Sequence, residues 1–477
     1  MMHIAVVGGG ISGITAAYRL RGRFGDGGDG GDDIAITVFE SAGTLGGKLR
    51  TVELAGHSYD VGAEAFLARR PEVAALASEA GLGGQLTHPT GAQSTVRAGG
   101  RLVRLPSGTV MGVPGSAEAV AGVLSEEGLR RVAAEPGLPP VSLGGGDVNL
   151  GALLRDRFGD ELVDRLVDPL LGGVYAGGAD GLGLRATVPA LASALDAGAG
   201  SLTAAAASLL PAPSPSAPQN REPVFATLTG GLGTLVDLLA ELAKPDVRLN
   251  TAVRALHRLP QGGWRLELAN GEITEADAVV LAVPAPAASA LLAEAAPEAA
   301  AALGEVRVAS MAVVALALPG DTELPDASGI LIGAGERYRD GTPVAAKAFT
   351  FSSRKWGHLG DDVRLVRGSV GRFGEPGALA ADDEELVRRV RADLAELAGI
   401  TAEPLDTHVV RWDGGLPQYG VGHTELMTRV ERAVAGVPGL AVAGAVLHGV
   451  GIPACVATAE RAVDDLATRI TSGPSHA

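Results

Sequence analysis

Residues His3 to Gly22 read HIAVVGGGISGITAAYRLRG, and residues Ile34 to Glu40 read IAITVFE. A short apolar run, a segment of helical composition over 12–22 and a second apolar run predict a strand, helix and strand in succession, the unit from which α/β folds are built. Gly8-Gly9-Gly10-Ile11-Ser12-Gly13 stands between the first strand and the helix and supplies G-x-G-x-x-G in the context that a dinucleotide fingerprint demands. In that fingerprint Gly8 permits the tight turn, Gly10 lets the backbone approach a pyrophosphate, and Gly13 lets helix and strand pack closely. Ile11 and Ser12 open the helix, whose free N–H groups and positive dipole end face the phosphates. Glu40, ending the second strand, has the position and charge to accept hydrogen bonds from ribose hydroxyls. Its separation from Gly13 exceeds the usual ~20 residues. The stretch Gly25 to Asp33, all Gly and Asp, accounts for the excess, and its composition predicts a mobile surface loop.

Around this unit the composition sets bounds. A chain of 477 residues, 46% hydrophobic, has room for more than one domain and a large core. A net charge of -16 argues against nucleic acid as a partner, since phosphate binding needs a surplus of Lys and Arg on one face. Cys455 is the only cysteine, so no intrachain disulfide and no Cys-rich metal site can form, and the cytoplasm is the expected compartment. The first residues lack the basic and apolar segments of a signal peptide. Ala433 to Ala459 carries no Asp, Glu, Lys or Arg, but Pro438, Pro453 and several glycines interrupt it, which argues against a spanning helix. Peripheral contact with a membrane is left open. The histidines are scattered without ligand spacing, so no metal site is expected.

Further along, Leu153 to Leu171 has apolar positions at spacings of three and four and predicts one amphipathic helix. Residues 211 to 223 (PAPSPSAPQNREP) predict a linker or loop. Val247–Leu249, Trp264–Leu268 and Ala278–Val283 are short strand patterns that predict a small meander feeding back into the first sheet. Residues 306–318, 344–352 and 364–373 are further strand candidates, and Asp382 to Ala398 is a charged amphipathic helix. Leu440 to Ala443, a glycine turn and a helix from about Ala454 repeat the order seen at the start.

A second glycine motif follows Glu40. Leu45-Gly46-Gly47-Lys48-Leu49-Arg50-Thr51 resembles the motif that, in the amine oxidase-like flavoproteins, passes close to the FAD pyrophosphate and ribityl chain, with Lys48 as the adjacent basic residue. Lys48 as a solvated surface lysine is the plain alternative. The resemblance extends along the chain: Gly62 to Arg70 (GAEAFLARR), Gly172 to Gly177 (GGVYAG), Leu228 to Leu232 (LTGGL), Pro417 to His423 (PQYGVGH) and Gly444 to Pro453 (GAVLHGVGIP) look like the porphyrinogen oxidases of haem biosynthesis, in the family's order. Two departures stand out. Gly178 occupies a place where an acidic residue is frequent, and His448 a place where the closing motif often has Glu or another side chain.

The resemblance implies an α/β fold: a Rossmann-like FAD-binding domain of discontinuous segments (1–72, 224–290 and 411–477), an α+β substrate-binding domain (73–98, 180–223 and 291–410) and a helical insertion (99–179). It implies FAD held without a covalent bond, with Gly62, Ala63, Val253, Trp412, Gly444, Val450, Gly451 and Ile452 joining the fingerprint residues at the cofactor. Cys455, flanked by apolar residues, is expected to be a buried small residue and not a flavin attachment point. The implied activity is the six-electron oxidation of a porphyrinogen, with molecular oxygen as acceptor and peroxide as by-product. The flavin carries the difficult step and the protein supplies placement, so no side chain is assigned a catalytic role. A tetrapyrrole with propionate arms needs a wide cleft with basic residues at its rim. Arg70, and next to it Arg69, are the candidates for a propionate clamp, against the plain alternative of an exposed pair before Pro71. Tyr175 is a candidate to lie along the macrocycle, against the alternative of a packing residue.

Coproporphyrinogen III is the favoured substrate and protoporphyrinogen IX the second. An amine oxidase shares the glycine motifs but usually frames its amine with aromatic side chains, and only 3% of this chain is aromatic. A carotenoid-type desaturase is disfavoured by the segments at Gly172 and Gln418, and a non-catalytic flavoprotein is compatible with intact nucleotide motifs.

Overall fold

The computed structural model describes residues 1–25, 34–211 and 223–471. Most of the loop expected at 25–33 and of the linker expected at 211–223 lies outside the described residues. The strand, helix and strand of the N-terminus are present as Met2–Val7, Ile11–Phe24 and Ile34–Phe39. They belong to a five-stranded sheet in the order 246–248, 34–39, 2–7, 278–281 and 440–442. All four pairings are parallel. Its central strands are near-continuous apolar runs because both faces are covered, as parallel sheets require. Helices Ile11–Phe24, Gly233–Ala243 and Ile452–Thr471 pack on one face through Ile14, Leu235, Leu239 and Val456. On the other face, Ala5, Val7, Val279 and Leu281 meet Trp264, Leu292 and Met427.

The meander differs from its expected composition. It is an antiparallel sheet of Val253–Arg258, Trp264–Leu268 and Ile273–Ala276, while the residues flanking it, Asp246–Arg248 and Ala278–Leu281, are parallel strands of the main sheet. Trp264–Leu268 has alternating burial, the mark of a strand covered on one face. The two flanking strands are only 3 and 4 residues long, too short for that period to be visible.

A second sheet of seven strands, mostly antiparallel, runs in the order 406–417, 308–319, 363–370, 346–351, 329–332, 95–98 and 101–104. One strand of it, Asp406–Pro417, runs across the boundary expected at 411, and another, Arg101–Arg104, lies beyond the boundary expected at 99. Along Val308–Pro319 the side chains alternate. Ala312, Val314 and Leu316 face helix Asp383–Ala398, whereas Ala315 and Ala317 face Leu54, Tyr59 and Val61 at the hairpin over 51–60. The second contact sets this sheet against the segment that leads into Gly62 and Ala63.

The third cluster is helical and is built on Leu154, Phe158, Leu166, Leu171, Leu184 and Leu202. The single helix expected over 153–171 is broken in two. Helix Leu150–Phe158 ends at Gly159, whose φ of +81° reverses the chain, and a wide turn over Val163–Val167 precedes helix Asp168–Tyr175. Pro169 explains the wide turn. It has no N–H to donate and its ring would clash with the carbonyl four residues back, so the helix widens locally. Among the described residues no helix is long and apolar enough to cross a membrane.

Candidate functional site

The fingerprint glycines sit where the parallel strands end, at the carboxyl edge where open α/β sheets bind ligands. Gly8 has φ of +104°, and a Cβ there would stand 2.4 Å from Ala282 O. A Cβ on Gly13 would stand 1.8 Å from Gly8 O, so only glycine lets the helix lie this close to the strand. Gly10 is the N-cap of the helix and no side chain caps it, which leaves the first N–H groups, with Ile11 and Ser12, open to an anion. The second motif is bound to the first: Gly46 N donates to Gly9 O at 2.8 Å, and a Cβ on Gly47 would lie 3.2 Å from Gly10 Cα. The two loops form one cradle whose floor is bare backbone.

Glu40 has a role beyond the one expected. One carboxylate oxygen accepts from Gly9 N at 2.7 Å; the other accepts from Ala42 N at 2.8 Å and Ser41 Oγ at 3.2 Å. A carboxylate has about four lone-pair sites, so capacity remains for a sugar hydroxyl. The same side chain fixes the glycine loop. Val253 begins the meander two residues after Thr251, whose N–H donates to Glu40 O at 2.8 Å.

Lys48 is half-buried and runs beside Gly415; its Cε is 3.2 Å from the position a Cβ would take there. Burial lowers its pKa, and among the described residues it has no carboxylate partner. A desolvated lysine in the second glycine motif without a carboxylate partner suits an anionic ligand. Ala63 N donates to Lys48 O at 2.9 Å. A Cβ on Gly62 would meet that oxygen at 2.0 Å and the Trp412 ring at 3.3 Å, so Gly62, Ala63, Lys48 and Trp412 are assembled in one place.

The C-terminal motif closes the cradle. Gly444, with φ of +124°, places its Cβ position 4.0 Å from Ser12 Oγ, and Ser12 Oγ donates to Cys455 O at 3.1 Å. Gly451 O accepts from Ala454 N and Cys455 N at 3.0 and 3.1 Å, which starts the helix at Ile452; Val450 packs against the helical cluster. Tyr419 holds this loop from outside. Its hydroxyl accepts from Gly449 N at 2.9 Å and donates to Ala445 O, and its ring stacks on His423 at 4.0 Å. Cys455 is buried, and burial raises its thiol to about 11.

Two buried acids went unnoticed in the sequence. Glu64, 7% exposed, is ion-paired to Lys355 Nζ and lies 3.3 Å from Arg367 Nε. Arg367 also donates to Gly62 O at 2.7 Å, so this network ties the seven-stranded sheet to the turn beside Trp412. Asp60 accepts from Thr51 Oγ1 at 2.6 Å and Leu232 N at 3.0 Å, capping helix Gly233–Ala243 from the hairpin. Burial, opposed by those hydrogen bonds, raises Asp60 to about 6. Glu64 lies inside a quoted motif, and its charge among Gly62, Ala63, Ala65 and Phe66 was the visible trace of a buried partner.

On the substrate side, Arg69 and Arg70 are exposed just before helix Pro71–Glu79, and Arg70 is paired with Glu72. Tyr175 is 6% exposed, with its ring 5.6 Å from Tyr419 in the helical core, and burial pushes it up to about 12. At Gly178, the position lacking the frequent acid, a Cβ would stand 3.2 Å from the Asp168 carboxylate. His448 pairs with Glu431.

A crossed pair of glycine loops under a helix N-terminus, an acid at the end of the second strand and a C-terminal return to the same sheet define a protein of the dinucleotide-binding α/β class. The chain belongs to the flavin containing amine oxidoreductase family, whose model matches residues 11–467. It is 45% identical over 467 residues to coproporphyrinogen III oxidase of Mycobacterium leprae, covering 98% of both chains. It is 31% identical to coproporphyrinogen III oxidase of Bacillus subtilis, covering 98% of this chain and 99% of that one. A crystal structure from Exiguobacterium sp. 255-15, provisionally named a protoporphyrinogen oxidase, matches with a TM-score of 0.84 at 32% identity, over 98% of this chain and 99% of that one.

Proposed function

We propose that this protein is an FAD-dependent coproporphyrinogen III oxidase of haem biosynthesis, forming coproporphyrin III with oxygen as acceptor. The observation that carries the reading is the 45% identity, sustained over 98% of both chains, to a relative of that name. In this reading the five-stranded sheet unit holds the cofactor, and the seven-stranded sheet and helical unit hold the substrate. A flavin held by these residues would supply the hydride acceptor for porphyrinogen oxidation, with oxygen as the terminal oxidant. The chain's own residues do the rest. The N–H groups at Gly10 to Ser12 and the Lys48 ammonium bind phosphate, Glu40 accepts from the ribose while fixing Gly9, and Gly62, Ala63 and Trp412 set the position of the ring system. Val253, Gly444, Val450, Gly451 and Ile452 complete the enclosure. The hydrogen bonds that Tyr419 and Arg367 make to the loops keep these groups in place before the ligand arrives, which lowers the ordering cost on binding.

Arg69 and Arg70 are proposed as rim contacts for the outer propionates, with Arg70 exchanging Glu72 for substrate. The Exiguobacterium structure's name favours protoporphyrinogen IX as the second reading. The test is kcat/KM for the two porphyrinogens under air, corrected for spontaneous oxidation. Preference for coproporphyrinogen III is expected; a clear preference for protoporphyrinogen IX overturns the assignment.

A further inference from the structure

Lys347 lies within the strand Ala346–Phe351, a charged residue in an apolar run, and is 4% exposed. Its Nζ donates to Gly172 O at 3.0 Å and stands 3.8 Å from Met311 Sδ. Among the described residues no carboxylate lies within ion-pair range of it. The neighbouring charge is another cation, Arg372, half-buried, whose guanidinium donates to Ile332 O at 2.8 Å and, among the described residues, forms no ion pair. Asp168 and Glu375 act on Arg372 only at longer range, and Asp168 Oδ1 is occupied by Ala179 N at 2.7 Å. Burial first, and Arg372 second, lower Lys347 to about 7.

Two desolvated cations close enough to repel, with no carboxylate in ion-pair range of either among the described residues, are an unbalanced arrangement, since buried charges in folded chains are normally paired. The carbonyl end of helix Asp168–Tyr175, which includes Gly172 O, offsets part of the charge through the helix dipole. It does not use the hydrogen-bonding capacity. An ammonium has three N–H donors; Gly172 O takes one, and the thioether is a weak acceptor.

The pair also lies on the seam that matters. Met311 is the register partner of Trp412 in the adjacent strand, and the Trp412 ring abuts Gly62 in the proposed cofactor site. Gly173 and Val174, next to Gly172, are exposed. Met311, unbranched and adaptable, touches the ammonium through its sulfur, and it can move aside at little cost. We propose that Lys347 and Arg372 form an inner anchor for one carboxylate arm of the substrate, at the seam between the helical unit and the seven-stranded sheet. This rests on the reading of the substrate as a carboxylate-bearing tetrapyrrole. It differs from the rim contacts at Arg69 and Arg70 in being desolvated and unpaired before the ligand binds.

The test uses the flavin-loaded protein and coproporphyrin III, the unreactive oxidised tetracarboxylate, titrated by its Soret shift. Its tetramethyl ester, which lacks the charges, is titrated in the same detergent buffer. Lys347→Met and Arg372→Met are each expected to weaken coproporphyrin III binding about ten- to a hundredfold, the loss of one charge-assisted hydrogen bond. Binding of the ester and the flavin spectrum should stay as in the parent. Lys347→Arg, which keeps the cation, should retain most of the affinity and keeps the test readable if Lys347→Met loses its flavin. Equal losses for acid and ester, or unchanged binding of the acid in both methionine variants, overturn the anchor. Turnover of coproporphyrinogen III by the parent, measured on the same preparation, separates the two ideas: with turnover intact, those outcomes overturn the anchor alone. Without turnover or binding in the parent, the substrate reading falls and the anchor with it.

Discussion

Replacing Glu64 by glutamine keeps the shape of the side chain and removes a charge from between Lys355 and Arg367. Two unit charges 3.3 Å apart, the Glu64 to Arg367 separation, interact by about 5 kcal/mol at an effective dielectric constant of ~20. Desolvation offsets much of that in the intact pair, but removing one partner leaves the cations stranded, which costs about 3–5 kcal/mol. The Lys355 and Arg367 side chains are 18% and 14% exposed, so water recovers part of the loss and about 3 kcal/mol is expected. Unfolding entropy of about 2.1 cal/mol/K per residue, taken over 477 residues, converts this to a melting temperature lower by about 3 °C. The pH dependence has a definite sign. Burial alone would raise Glu64, but Arg367 and Lys355 outweigh it and hold the carboxyl below the usual range. The contribution is therefore complete above the unfolded-state pKa and disappears as pH falls through the lower folded value. Scanning calorimetry of parent and variant should show the full difference near pH 7 and a shrinking one in acid. Because Arg367 also holds Gly62 O, flavin fluorescence should be released earlier in the variant's transition. A melting temperature within about 1 °C of the parent near pH 7, or a difference that grows on acidification, refutes the reasoning. Adding Lys355→Met to the variant should recover part of the loss, because it removes a stranded cation.

Gly13→Ala puts a methyl group 1.8 Å from Gly8 O, so helix and strand must separate; purified protein is expected to carry little flavin, and normal occupancy after dialysis would contradict the packing role. Asp60 has a folded pKa of about 6 against the ordinary 3.8, so its burial costs stability as pH rises through that interval, on the order of 3 kcal/mol. Asp60→Asn should therefore gain stability relative to the parent near pH 7 compared with pH 4, as read from denaturant midpoints; a gain confined to pH 4 would reverse the sign and refute the assignment.

The N-terminal unit was legible because its elements are local. Strand, glycine loop, helix and acid-ended strand lie within the first 40 residues, and Gly8 and Gly13 each answer a backbone constraint that a side chain would violate. The C-terminal return to the same sheet was readable for the same reason, as was helix Asp383–Ala398 from its charge and spacing. Apolar period alone did not separate the meander from the main sheet, since strands as short as Asp246–Arg248 and Ala278–Leu281 carry no clear period, nor did it show the break at Gly159. What only the tertiary structure decided is which charges meet. Glu64 finds Lys355 and Arg367 some 300 residues away, Asp60 caps a helix that begins at Gly233, and Lys347 meets Gly172 across the seam of two units, with Arg372, just past the adjacent strand of its own sheet, as the neighbouring charge. Local sequence records that a charged residue sits among apolar ones. Its partner, its burial and hence its protonation are properties of the packed chain, because Coulomb interaction and desolvation depend on distance and solvent access in three dimensions.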